Sequence, residues 1–184
     1  VHVAGLLGFG TNHLNSTEIV AVLDCVNNGD IESATARASG LVAACNRYTH
    51  VRGCDNYGDN LNTFKTSGGA RLGNITCITG AGSALYYTRN FGDLISTTAG
   101  AVGGVLCLVN SDDNVLEGVE TYGRVISDKA NNSYKGSFFG QCSKAATITN
   151  CVCGGTVGMY NGGTYEVVEV NADNYFDYIG QVGT

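Results

Sequence analysis

Four sets of residues in this chain could do chemistry by type and spacing. Asp30, Asp59 and Asp93 each follow a turn glycine, so in a repeating chain they fall on one line. A line of carboxylates helped by backbone carbonyls offers the hard oxygen ligands that Ca²⁺ takes. However, the glycine-rich calcium nonapeptide is absent, and the line continues as Arg124 and Thr156. Asp also suits turns, because its carboxylate hydrogen-bonds nearby backbone. The three aspartates stand as calcium candidates beside that plainer turn role. Asp112, Asp113, Glu117 and Glu120 crowd into one short stretch. Paired carboxylates are what glycoside hydrolysis requires, but a solvated loop is also the ordinary place for charge. No Ser/His/Asp set and no His-x-Glu motif accompanies them. No catalytic residue and no cofactor site is therefore assigned. His2, His13 and His50 lie in separate segments and read as loop histidines.

The eight cysteines form the third set. Cys77 and Cys107 occupy the same place in consecutive repeats, and Cys25, Cys54 and Cys151 share another. A cysteine stacked on its neighbours behaves as a small buried hydrophobe, so mostly free thiols are expected. Cys45/Cys54 and Cys142/Cys151 have the same nine-residue separation in two coils. They are the disulfide candidates for an oxidising compartment. The fourth set is surface chemistry. Asn15 and Asn131 open loop sequons, which matter only in a eukaryotic source. The sequon at Asn74 opens a strand expected to be buried. Tyr48, Tyr57, Tyr86, Tyr87, Tyr122 and Tyr134 sit near loops and turns. They can stack on one another or bind sugar rings, and the ladder is the favoured reading.

All these residues depend on one positioning element, an apolar strand led by glycine and followed by a Gly-centred turn. Strands of this type begin at Gly5, Gly40, Asn74, Gly104 and Ser137, and the turn glycines are 29, 58, 92, 123 and 155. The turn spacings of 29, 34, 31 and 32 give a period near 32 with variable loops. Short alternating runs bounded by Gly, Asn and Asp read as strands. Ser16 to Leu23 is the one ambiguous stretch, since it also suits a helical turn. A unit of this size cannot bury its apolar face alone, and stacking in parallel solves the problem. The chain is expected to be all-β: a β-solenoid, as a right-handed parallel β-helix of about five coils with about three strands each. Leu6, Leu41, Ile75, Val105 and Phe138 should meet inside. The repeats run approximately 1–31, 32–60, 61–94, 95–125 and 126–163. Residues 164–184 depart from the pattern and are expected to cap the C-terminal face with a strand and a short helix. The N-terminal face, entered in mid-repeat at Val1, is expected to need cover from preceding residues or a partner.

The totals bound the rest. The chain has 184 residues, 27 of them Gly, and no Pro. Gly without a G-X-Y period excludes collagen, and an apolar fraction of 43% excludes a disordered chain. A net charge of −6 argues against a nucleic-acid partner. The most apolar run, residues 99–109, is too short and Gly-rich to insert in a membrane.

The apolar strands Gly40-Leu41-Val42-Ala43 and Gly103-Gly104-Val105-Leu106, with turns such as Cys54-Asp55-Asn56-Tyr57-Gly58-Asp59, resemble the GLUG-type repeats of microbial cell-surface proteins and large adhesins. The similarity covers roughly residues 4–157. The third copy departs from it, with Asn74 for Gly and Tyr87 for Cys. The resemblance implies an extracellular, cell-surface module, non-enzymatic, acting in adhesion or as a structural spacer. Its implied partners are glycans, other surface proteins, or copies of itself end to end. A carbohydrate-active β-helix enzyme and a subunit of a surface filament are the alternatives.

Overall fold

A computed structural model describes residues 2–11, 16–34, 37–62, 70–97, 100–128, 135–161, 164–167 and 181–182. Among them every regular element is a strand. The third copy shows the plan, with strands Ala70–Gly73, Thr76–Thr79, Ala84–Tyr86, Arg89–Asn90 and Leu94–Ser96. Each pairs in parallel with its counterpart in the copy before and the copy after. Five sheets result, holding five or six strands each. The molecule is a β-solenoid. The first copy opens the stack and the fifth closes it, so the windings number about four rather than five.

Two expectations change in detail. Each copy has five strands rather than three, because strands of two residues such as Asp55–Asn56 flank the corners. Two residues are too few to show an alternating period in sequence. The ambiguous stretch is strand at its end: Val20–Leu23 pairs in parallel with Thr49–Arg52.

Apolar columns fill the interior. Leu6, Leu41, Ile75, Val105 and Phe138 share one register position, linked by backbone bonds such as Ile75 N–H to the Val105 carbonyl at 3.0 Å. Leu41, Ile75 and Val105 are fully buried. Leu6 is 38% exposed, because as a member of the first coil it is stacked on one side only. Phe138, in the last coil, is half-buried and packs edge-on against Phe139. A second cluster, Ala38, Leu72, Leu94, Val102, Val125 and Val157, and a third, Ala43, Cys77, Ala101, Cys107 and Leu108, fill other parts of the cross-section. Each fully buried Leu or Val contributes about 1.5–3 kcal/mol relative to exposure.

The segment after the repeats does attach to the last coil. Thr164–Val167 turns back antiparallel on Val157–Asn161, and Gln181–Val182 extends the sheet of Phe139–Cys142 in parallel. The helix expected between them, with Tyr175, Phe176 and Ile179, lies outside the described residues.

Candidate functional site

The turn Asn-x-Gly-Asp is where the singled-out residues gather, and each of its positions forms a ladder along the stack. The first position points inward. Asn27 donates from Nδ2 to the Gly29 carbonyl at 2.9 Å and to Asn56 Oδ1 at 2.8 Å. Asn56 repeats this with the Gly58 carbonyl (2.9 Å) and Asn90 Oδ1 (2.9 Å). Asn90 donates to the Gly92 carbonyl at 3.0 Å and to Thr121 Oγ1 at 3.2 Å. A buried amide keeps its desolvation cost unless it is paired, and this continuous ladder pairs it in each coil. Sequence reading missed the ladder, although its signal was present: Asn stands two residues before glycines 29, 58 and 92.

The second position points outward. Tyr57 and Phe91 stack at 4.8 Å with planes 5° apart, and Phe91 and Tyr122 at 5.4 Å and 13°. Gly154 follows in the same column. A Cβ there would lie 2.7 Å from the Tyr122 ring, so the glycine backbone sits directly on that ring. From Tyr57 through Tyr122 the ring faces are therefore turned to one another, and the far face of Tyr122 to the Gly154 backbone. Sugar stacking needs an exposed face, so the ladder reading of the aromatic residues holds for these three. Phe91 was absent from the sequence reading, which considered tyrosines alone. Tyr48 and Tyr87 follow the same rule at other corners, each covered by a glycine of the next coil, Gly82 and Gly118. Tyr86 meets His50 edge-on at 5.6 Å, and Tyr134 lies outside the described residues.

The third position must be glycine. A Cβ on Gly92 would stand 2.0 Å from the Gly58 carbonyl oxygen, and one on Gly123 1.9 Å from that of Gly92. The fourth position is the aspartate line. Asp30 Oδ1 accepts the Asp59 N–H at 2.9 Å, Asp59 Oδ1 the Asp93 N–H at 2.8 Å, and Asp93 Oδ1 the Arg124 N–H at 2.7 Å. Asp93 Oδ2 also accepts from Arg124 Nε at 2.7 Å. Each carboxylate is thus committed to the next coil's backbone, a role that calcium ligation would compete with. Among the described residues no three His, Cys, Asp or Glu side chains converge as a metal site.

The acidic stretch is dispersed. Asp112 accepts the Ala145 N–H at 3.0 Å and pairs with Lys144 at 3.5 Å, both side chains being exposed. The Ser111 hydroxyl and then the Gly82 backbone hold the Asp113 carboxyl below its usual range. Glu117 accepts the Tyr87 hydroxyl at 2.5 Å and Glu120 that of Tyr122 at 2.8 Å. These bonds push both phenols upward. Glu117 and Glu120 belong to different sheets, separated by a corner at Gly118.

All eight cysteines are free. Cys77 and Cys107 are stacked and fully buried as expected. Burial holds Cys107 at about 12 and pushes Cys77 well above its ordinary value. The nine-residue disulfide candidates are not bonded. Cys45 instead accepts the Thr76 hydroxyl at 3.6 Å, and Cys54 donates to the Arg52 carbonyl at 3.3 Å. Cys142 donates to the Lys144 carbonyl and Cys151 to that of Thr149. In the third copy the cysteine column is held by Thr88, not Tyr87, which occupies the preceding corner. Asn74 does stand in the glycine column and donates to the Gly92 carbonyl at 2.6 Å. His2 contacts Arg37 at 2.8 Å and Phe9, and His50 meets the Gly82 carbonyl at 3.2 Å. Asn15, Asn131 and His13 lie outside the described residues.

A scan against family models and searches of curated proteins and solved structures each gave no match. The resemblance to GLUG-type repeats thus rests on the motifs alone.

Proposed function

We propose that this chain is a non-enzymatic module of an extracellular surface protein, acting as a structural spacer. One observation carries the reading. All four positions of the recurring turn are spent on the neighbouring coil: amide ladder, ring stack, glycine contact and carboxylate-to-backbone bond. The motif that recurs is the one that fixes coil to coil, as a rod needs. The sealed thiols Cys45, Cys77 and Cys107 suit an oxidising exterior, since burial shields them. Adhesion through glycans or surface proteins is the neighbouring reading, and the variable loops would have to carry it.

The test is binding of the isolated protein to a glycan array and to whole cells, with a parallel assay for new reducing ends on a polysaccharide panel. A spacer gives neither saturable binding nor cleavage. Saturable binding would transfer the reading to adhesion, and polysaccharide cleavage would overturn it in favour of the enzyme.

A further inference from the structure

Two pairs of cysteines stack in adjacent coils. One is Cys77 over Cys107, sealed inside. The other is Cys25 over Cys54, fixed by the register Val26 to Asp55 one residue on. This second pair lies at a corner, beside the left-handed residues Asp24 and Gly53. The Cys25 N–H reaches Cys54 Sγ at 3.5 Å. Cys25 also donates to the Leu23 carbonyl at 3.1 Å, and Cys54 to those of Arg52 and Val22. Neighbouring strands stand ~4.8 Å apart, within the Cα separations that a disulfide spans. Cys54 is buried, but Cys25 is only half-buried and admits a small reagent.

We propose that Cys25 and Cys54 form a disulfide when the folded protein meets a small-molecule disulfide such as oxidised glutathione, tying the first coil to the second. Entry is at Cys25, because burial raises the Cys54 thiol and keeps it protonated. The Cys25 thiolate attacks one sulfur of the reagent, giving a mixed disulfide and releasing one small thiol. Cys54 loses its proton to solvent and attacks the Cys25 sulfur, expelling the second small thiol. Two protein thiols are oxidised and one reagent disulfide is reduced to two thiols. The bond would secure the strands Val20–Leu23 and Val26–Asn27, which pair on one side only among the described residues. The inference holds for a spacer or an adhesin alike.

The test uses the intact folded protein, incubated with oxidised glutathione, acid-quenched, alkylated and peptide-mapped. Cys25 and Cys54 should both be lost from the free thiols, counted apart from mixed disulfides at Cys142, Cys151 and the exposed Cys153. A Cys25–Cys54 linked peptide should appear, while Cys77 and Cys107 stay reduced. Hydrogen exchange at the Val22 and Asp24 amides should slow on oxidation and recover on reduction. A mixed disulfide that persists at Cys25, a bond from Cys54 to Cys45, or all eight thiols remaining free would each overturn the proposal.

Discussion

Asn56 and Asn60 stand four residues apart and have opposite roles. Asn56 donates two amide bonds and accepts a third from Asn27. Asn60 lies in an interior column otherwise made of Ile31, Leu94, Val125 and Val157, fully buried, and neither of its amide atoms has a partner. An unpaired buried polar group costs about 1–3 kcal/mol. Asn60→Leu should therefore raise the free energy of unfolding by about that amount in urea titrations, whereas Asn56→Ala should lower it by about 2 kcal/mol or more. The thiols add a pH dependence. Burial holds Cys45 and Cys107 at about 12, against an ordinary 9.0. Below 9.0 both states keep the proton and nothing changes. Above it the unfolded chain ionises first, so stability should fall by about 1.4 kcal/mol per pH unit for each thiol until about pH 12. Denaturation midpoints measured across the alkaline range check this. The sequence showed the asparagines beside the turn but not their facing. Facing is set by strand parity, and a two-residue strand does not reveal parity.

Corners are the element that makes a flat run of strands into a coil. One corner column has left-handed backbone in every copy: Asp24, Gly53, Tyr87, Gly118 and Asn150, with φ from 50° to 63°. Only two of the five are glycine, so the column was invisible as a pattern in sequence, whereas the turn glycines recur in every copy and gave the period. Substitutions there should differ in sign. A Cβ on Gly118 would add left-handed strain and stand 2.6 Å from the Tyr87 ring. Gly118→Ala should cost about 1–3 kcal/mol. Asn150→Gly, at an exposed position already left-handed, should be neutral or stabilising by up to about 1 kcal/mol. Thermal unfolding of the two variants in parallel checks the contrast. The same parity explains the cysteines. Their nine-residue spacing suggested pairing within a coil, but residues in register between coils are the ones brought together.

At the scale of the whole molecule, the stack is continuous and its columns are interchangeable between coils. Leu94 stands over Asn60 in register. Deleting residues 60–93 therefore removes one whole winding and joins Asp59 to Leu94 in phase. Asn56 would then meet Thr121, Tyr57 would meet Tyr122, and Asp59 would meet Arg124, the same chemistry that Asn90, Phe91 and Asp93 now supply. Deleting residues 60–78 removes about half a winding and puts every later column out of register. The most direct measurement is thermal unfolding of both deletions followed by circular dichroism. A solenoid held by coil-to-coil ladders predicts a β-sheet spectrum and one cooperative transition for the in-phase deletion, and loss of both for the half-coil deletion. An unfolded or aggregated in-phase deletion beside a folded half-coil deletion would contradict it.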